Sequence, residues 1–420
     1  MNWIQLALAS LWNRRSTVVL TLAMVALSLC LLLTVDRIRQ DTRSSFANTL
    51  SGTDLIIGGR TGNLNLLLYS VFRIGNATNN ISWQTYDDIR NNNAVAWTIP
   101  ITLGDSHRGY RVIGTNTDYF EHYQYGRRQN LALQKGRAFD RDVVYEAVLG
   151  HEVAQVLDYD LGDEIVIAHG LGRTSFENHD DKPFVVVGIL APTGTPVDRS
   201  VHIPLEGYTA IHIDWQSGAR IPGLTISAEE ALERDLTPDS ITAVFVGMKS
   251  RIQTFQFQRR INEYRQEPLS AIIPGATLQE LWQMIAIAEN ALIAVSFMVV
   301  VTGTLGMVAV ILAGLNERRR EMAILRALGA RPAHILGLLM LESGFYGLLG
   351  LMLAILVHWG LIAAVGLWVQ SQYGISLAIT LPDATLSMIL GGFLVTTFLV
   401  GLVPGWKAYR QSLADGLTAN

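Results

Sequence analysis

The sequence has little charge and almost no cysteine. Asp, Glu, Lys and Arg make up 16% of its 420 residues, and the net charge is −4. An ordinary soluble domain is about one quarter charged. With one cysteine, Cys30, the chain can form no intramolecular disulfide, so any folded domain must be held by its own core. No G-x-x-x-x-G-K-[ST] occurs, so the phosphate-cradling loop of the usual ATPases is missing and the chain is not expected to hydrolyse ATP by itself. H-E-x-x-H and G-x-S-x-G are absent too; "HEVAQ" at 151–155 carries only the first two letters of the former. No catalytic residue is expected, and the chain reads as a non-enzyme.

What it has instead is apolar sequence in long blocks. Half of its residues are hydrophobic, and they cluster in runs free of charge: 16–35, 290–316, 343–382 and 384–406. A helix needs about 20 apolar residues to cross the hydrocarbon core, and buried helices of soluble enzymes rarely stay uncharged so long. Four transmembrane helices are expected, at 16–36, 284–315, 334–367 and 384–405. Arg14 and Arg15 precede the first. Arg318, Arg319, Arg320, Arg326 and Arg331 lie between the second and third, and Lys407 and Arg410 follow the fourth. The loop 368–383 has no Lys or Arg, although Arg37, Arg39 and Arg43 fall on its side. The basic bias puts both termini in the cytoplasm and residues 37–283 outside. The first run is too long for a cleaved signal peptide and no Ala-x-Ala site follows it. In "LSLC" the leucine before Cys30 is too large for a lipoprotein cleavage box, so Cys30 reads as an ordinary membrane-helix residue.

The segment 37–283 is long enough for two subdomains. "TDLIIGG" (53–59), "AVAWTIPITL" (94–103) and "YRVIGTN" (110–116) read as strands, with a helix at 82–92. "ITAVFVGM" (241–248), a helix over 250–266 and "LSAIIPG" (269–275) repeat the strand–helix–strand order. Between them, "VVYEAVLG", "DEIVIAHG" and "PFVVVGILAP" are short strands bounded by Gly, Pro and Asp. The order predicts an α+β domain interrupted by a mostly β insertion over about 117–224. Nine histidines are scattered along the chain. His179, Asp180 and Asp181 in "ENHDD" are the closest group of metal-ligand types, but a solvated polar loop accounts for them, because a metal site needs convergent geometry. His202 and His212 flank "IPLEGYTAI" without ligand spacing. No metal site and no bound cofactor is expected.

The densest charge lies at 316–335, "NERRREMAILRALGARPAHI", between two of the most apolar segments. Its composition favours a helix, with Met322, Leu325 and Leu328 on one side. Gly329 suits the left-handed position that ends a helix, and Pro332 the first turn of the next. Arginines that only anchor to headgroups would not explain the apolar stripe; a helix offering both suits a groove in a partner protein.

This stretch resembles the most recognisable segment of the permease subunits of the FtsX/MacB/LolC family of ABC transporters, the mechanotransmission type (type VII). "IQLALASLWNRRSTVVLTLAMVALS" is similar to the amphipathic leading helix (1–15) and first span of that family, and "LVPGWKAYRQSLADGLTA" (402–419) to its closing segment. "VIGTNTDYF", "KGRAFD", "AVLGHEVAQVL", "LGDEIVIA" and "VVVGIL" resemble the MacB-like periplasmic core domain, in which a Porter-like subdomain carries an inserted Sabre-like β subdomain. The resemblance implies a membrane protein with one helix before a large α+β periplasmic domain and three after it. It implies a coupling helix within 316–333, carried by Glu317, Arg318, Arg319, Arg320, Glu321, Met322, Leu325, Arg326, Leu328, Gly329 and Arg331 and followed by a short tail from 406. MacB carries a nucleotide-binding domain ahead of its first span, whereas this chain begins close to the membrane. The expected partners are therefore a separate dimeric ABC ATPase, which would hold the ATP and Mg, and a second permease chain, identical or paralogous. A periplasmic adaptor or substrate-binding protein is a further candidate partner; nucleic acid is not expected.

Two further features belong to the spans. Gly337, Gly344, Gly347 and Gly350 would allow close approach between helices. Glu342 is an acid inside a span, where pairing or snorkelling is expected. The leading reading is a bacterial inner-membrane permease that acts on a lipoprotein, peptide or drug-like substrate at the periplasmic side. The second is a regulator of the same architecture that switches a periplasmic hydrolase or sensor. An ion-driven transporter is disfavoured, because intramembrane charge is scarce.

Overall fold

The computed structural model describes residues 15–170, 179–216, 219–220, 226–317, 322, 324, 327, 329–373, 377 and 379–410. It divides into a helical unit (Met1–Asp41, Ala286–Val369, Leu377–Asn420) and a sheet unit (Thr42–Ile285, Gln370–Ser376). The expected leading helix at 1–14 and the tail beyond 410 lie outside the described residues.

Among the described residues, four helices are long and apolar enough to cross a membrane: Arg15–Asn48, Pro274–Leu315, Ala333–Gly366 and Ala384–Lys407. Several extend well past the uncharged runs, because polar helix formers continue the hydrogen-bond ladder after hydropathy falls. At 1.5 Å per residue, 34 residues give roughly 51 Å, against an apolar bilayer core of about 30 Å. Val25, Leu29 and Leu33 of the first helix share one apolar cluster with Met307, Ile311, Leu339, Tyr346 and Leu390. Ion pairs sit near one end of that helix: Arg37 lies 2.6 Å from Asp41, and Arg39 3.3 Å from Glu289.

The sheet unit is organised by one 11-stranded sheet. In chain order its strands are β1 (Leu55–Gly59), β2 (Val95–His107), β3 (Tyr110–Thr115), β4 (Leu133–Gly136), β5 (Glu146–Leu149), β6 (Glu164–Ile165), β7 (Ala168–His169), β8 (Phe184–Leu190), β9 (Ser200–Pro204), β10 (Ala243–Met248) and β11 (Leu269–Ile272). The order across the sheet is β11-β1-β10-β2-β3-β9-β5-β8-β4, with β7 paired to β2 and β6 to β8. Alternation of side chains divides the core in two. Ile56, Ile99, Ile101 and Phe245 pack on one face with Leu66 and Tyr69 of the Asn63–Ser70 helix. Leu55, Ile57, Val244 and Val246 pack on the other with Tyr86, Ile89, Phe257 and Ile261. The helix over Trp83–Arg90 starts where Ser82 Oγ accepts a hydrogen bond from the Thr85 N–H at 3.3 Å.

Most strands of the stretch 117–224 continue the same sheet, joined through the parallel β3–β9 pair, while Gln124–Tyr125 with Gln129–Asn130 and Trp215–Gln216 with Ala219–Arg220 form two small sheets of their own. Strand β2 links the two parts: Val95–Ile101 pair with β10, and Thr102–His107 pair with β3 across a register shift between Leu103 and Ser106. Beyond that bulge the C-terminal end of β2 also pairs with β7.

Candidate functional site

Of the expected coupling residues, Arg318, Arg319, Arg320, Glu321, Leu325, Arg326 and Leu328 lie outside the described residues. Glu317 ends the helix Pro274–Glu317. Met322 is half-buried against the apolar cluster of the helical unit, while Ile324 is 49% exposed. Gly329 has φ +92°, a left-handed conformation that favours glycine, and the next helix begins at Pro332. The Arg331 N–H donates to His334 Nδ1 at 3.1 Å.

The glycines divide. A Cβ on Gly344 would come 3.1 Å from Phe398, one on Gly347 would meet Thr397, and one on Gly350 would meet Val25. At Gly337 it would meet nothing within 4 Å among the described residues. Gly303 and Gly306, which sequence reasoning passed over, face Ser28 and Met24 of the first helix. Glu342 is buried and accepts a hydrogen bond from Tyr346 Oη at 3.2 Å.

A second constellation lies wholly within the sheet unit. Backbone pairing of β7 with β2 sets His169 opposite Asp105, and the Ser106 hydroxyl donates to the Gly170 carbonyl at 2.6 Å. His212 closes the helix Leu205–His212. His179 is held by its own N–H, which donates to the Ile167 carbonyl at 2.9 Å. The four side chains converge, with one ligand-type atom from each within 4.8 Å of the others. Asp105 Oδ1 lies 3.0 Å from His169 Nδ1, and Oδ2 lies 3.3 Å from His212 Nε2. His212 Nε2 and His169 Nδ1 are 3.4 Å apart.

The solvated-loop reading of His179–Asp181 is corrected here. His179 is fully buried, with ring centroids 5.1 Å from His212 and 4.7 Å from Trp215. Asp180 is exposed, and Asp181 pairs with Lys182 instead. The sequence sets His179 beside Asp180 and Asp181 and gives His212 no ligand spacing, whereas the fold groups these two histidines with Asp105 and His169. Lys182 is itself fully buried and reaches Asp214 Oδ1 at 3.3 Å, so an ion pair ties the segment carrying His179 to the turn after His212. His202 lies apart: its Nδ1 donates to the Val148 carbonyl at 3.2 Å, and its ring packs on Tyr119.

Electrostatics set the ionisation of the group. Burial alone would raise the pKa of Asp105, but the facing imidazoles of His169 and His212 outweigh it and hold it at about 2. Burial, and then the neighbouring His212, depress His179 to about 4. At neutral pH Asp105 is a carboxylate and His179 a neutral ring, the forms that bind metal ions. Both ring nitrogens of His179 are buried with no hydrogen-bond partner among the described residues. Leaving a buried polar group unsatisfied costs about 1–3 kcal/mol. An open cleft of about 470 Å³, lined in part by His169, His212 and Trp215, adjoins the group.

Comparison with known proteins gives the following. Residues 18–264 match the family described as MacB-like periplasmic core domain, and residues 293–413 match FtsX-like permease C-terminal. An uncharacterized ABC transporter permease of Methanocaldococcus jannaschii is 24% identical over 294 residues, 66% of this chain and 62% of that protein. The pyoverdine export ATP-binding/permease protein PvdT of Pseudomonas fluorescens is 25% identical over 331 residues, 76% of this chain and 44% of that one. The lipoprotein-releasing system transmembrane protein LolC of Xylella fastidiosa is 19% identical over 294 residues, 65% and 64% respectively. The chain thus spans less than two thirds of the length of each of these relatives.

Proposed function

This chain belongs to the MacB-like periplasmic core domain family of ABC transporter permeases, and from that premise we propose that it couples ATP hydrolysis by a separate cytoplasmic ATPase to movement of its sheet unit outside the membrane. The observation that carries the reading is the pairing, on one chain, of a core-domain region and an FtsX-like region with four candidate spans in a one-plus-three order. The work would be done on a substrate at the outer face of the inner membrane, with two permease chains against an ATPase dimer that holds the nucleotide. Lipoprotein release and pyoverdine export, named for two relatives, support a lipoprotein, peptide or small exported molecule as the substrate class. Residues 317–331 would seat in the ATPase, and both termini would lie in the cytoplasm.

Orientation is the first thing to test. A reporter active only in the periplasm, fused after Ser217 or Gln372, is expected to be active; the same reporter after Ala330 is expected to be silent. Activity after Ala330 would put the arginine-rich segment on the wrong side for an ATPase and overturn the reading.

A further inference from the structure

We propose that Asp105, His169, His179 and His212 form a four-coordinate site for a divalent transition metal of the zinc class, clamping the inserted part of the sheet unit to strand β2. The inference is independent of the transport reading.

A tetrahedral ion with nitrogen and oxygen ligands at about 2.0–2.1 Å separates its ligand atoms by roughly 3.3 Å. The His169 Nδ1–His212 Nε2 separation is 3.4 Å, and Asp105 presents one oxygen to each ring, Oδ1 3.0 Å from His169 Nδ1 and Oδ2 3.3 Å from His212 Nε2. The fourth ligand, His179, lies within 4.8 Å of all the others, so a small movement of one ring closes the polyhedron.

An ordinary hydrogen-bonded histidine cluster gives each buried ring a partner. Here His179, fully buried, has none at either nitrogen among the described residues. A buried polar side chain left so in a native fold calls for a water or an ion. The ring is not simply wedged into a dry core, because it faces a carboxylate and two further imidazoles.

The ligands are supported from behind. His212 Nδ1–H donates to the Tyr208 carbonyl at 2.8 Å, which fixes the tautomer that leaves Nε2 free to bind. Asp105 and His169 are held by the β2–β7 ladder, and Trp215 packs against the rings of His169 and His179. The metal class follows from the donors. Three imidazoles and one carboxylate suit zinc, with cobalt(II) as its spectroscopic stand-in, whereas magnesium and calcium want oxygen ligands. Four protein ligands leave no open position, as in structural sites. Asp105 precedes the insertion and the three histidines lie in it, so occupancy would join the two. The cleft beside His169 and His212 offers a route for the ion.

The experiment uses the full chain in detergent, purified without a polyhistidine tag, stripped with chelator, then titrated with ZnCl2 and, separately, CoCl2. One zinc per chain and the intense visible absorption of four-coordinate cobalt are expected, with no displacement by millimolar magnesium. Replacing His179 with Ala should weaken zinc binding by at least about 100-fold, beyond the 10–100-fold typical of losing an outer-shell partner. Asp180→Asn, next to it but exposed, should bind as the parent does. If His179→Ala does not fold, His169→Ala at the cleft edge should show the same loss. A parent that binds no zinc, or folded His179→Ala or His169→Ala chains that bind it as the parent does, would overturn the proposal.

Discussion

Replacing Ile324 or Leu325 with aspartate is expected to stop the ATPase subunit from co-purifying, while the chain still inserts in the membrane. Sequence spacing set Met322, Leu325 and Leu328 on one apolar side. The structure turns Met322 toward the apolar cluster of the helical unit and leaves Ile324 exposed. An exposed isoleucine among arginines, between two spans, is the surface a partner groove would cover. Burying an unpaired carboxylate there costs on the order of 4 kcal/mol, about a thousandfold in affinity. Arg319→Ala should behave differently. At a solvated rim it should cost roughly 1 kcal/mol or less, and less still at high salt as screening shortens the reach of the charge. Co-purification at two salt concentrations separates the two kinds of contact. Normal assembly by both aspartate variants would reduce the segment to a topology anchor.

Lys182→Met is expected to destabilise the sheet unit by about 3–5 kcal/mol, the range for breaking a buried ion pair from one side. Lys182 and Asp214 are both 0% exposed, and their charged atoms lie 3.3 Å apart. Removing the ammonium takes from the buried Asp214 carboxylate the cation 3.3 Å away. The double variant Lys182→Met/Asp214→Leu should recover most of the loss, because apolar groups of similar size can replace a whole pair at little cost. Denaturant unfolding of the three variants against the parent measures both terms. A single-variant loss below about 1 kcal/mol would mean that water or another group already compensates Asp214.

The spans were legible in the sequence because a charge-free run of 20 residues has few alternatives. Their ends were not: "DRIRQDTRSSFAN" continues the first helix to Asn48 with no hydrophobic signal to mark it. Strands such as β1, β3, β8 and β10 were legible from their β-branched runs between turn residues. Their joining into one sheet was not, since the parallel β3–β9 pairing links residues some 90 positions apart through no local motif. The same holds for the histidine group. Positions 105, 169, 179 and 212 have no fixed spacing, and only the β2–β7 ladder and the end of one helix bring them together. Helical spacing singles out Gly337, Gly344, Gly347 and Gly350; a Cβ would meet Phe398, Thr397 and Val25 at the last three and nothing among the described residues at Gly337, and the rule passed over Gly303 and Gly306.

The central claim is that nucleotide turnover in a separate subunit moves the sheet unit. Ile252 is 86% exposed and distant in sequence from the proposed metal ligands, so it can carry a spin label as Ile252→Cys once Cys30 is replaced by Ala. The measurement is the label-to-label distance between the two permease chains of the ATPase complex, in lipid nanodiscs, without nucleotide and trapped with ADP and vanadate. A nucleotide can shift this equilibrium only by binding one arrangement more tightly than the other. The account predicts two distinct distance distributions. Identical distributions, in a complex shown to hydrolyse ATP, would contradict it.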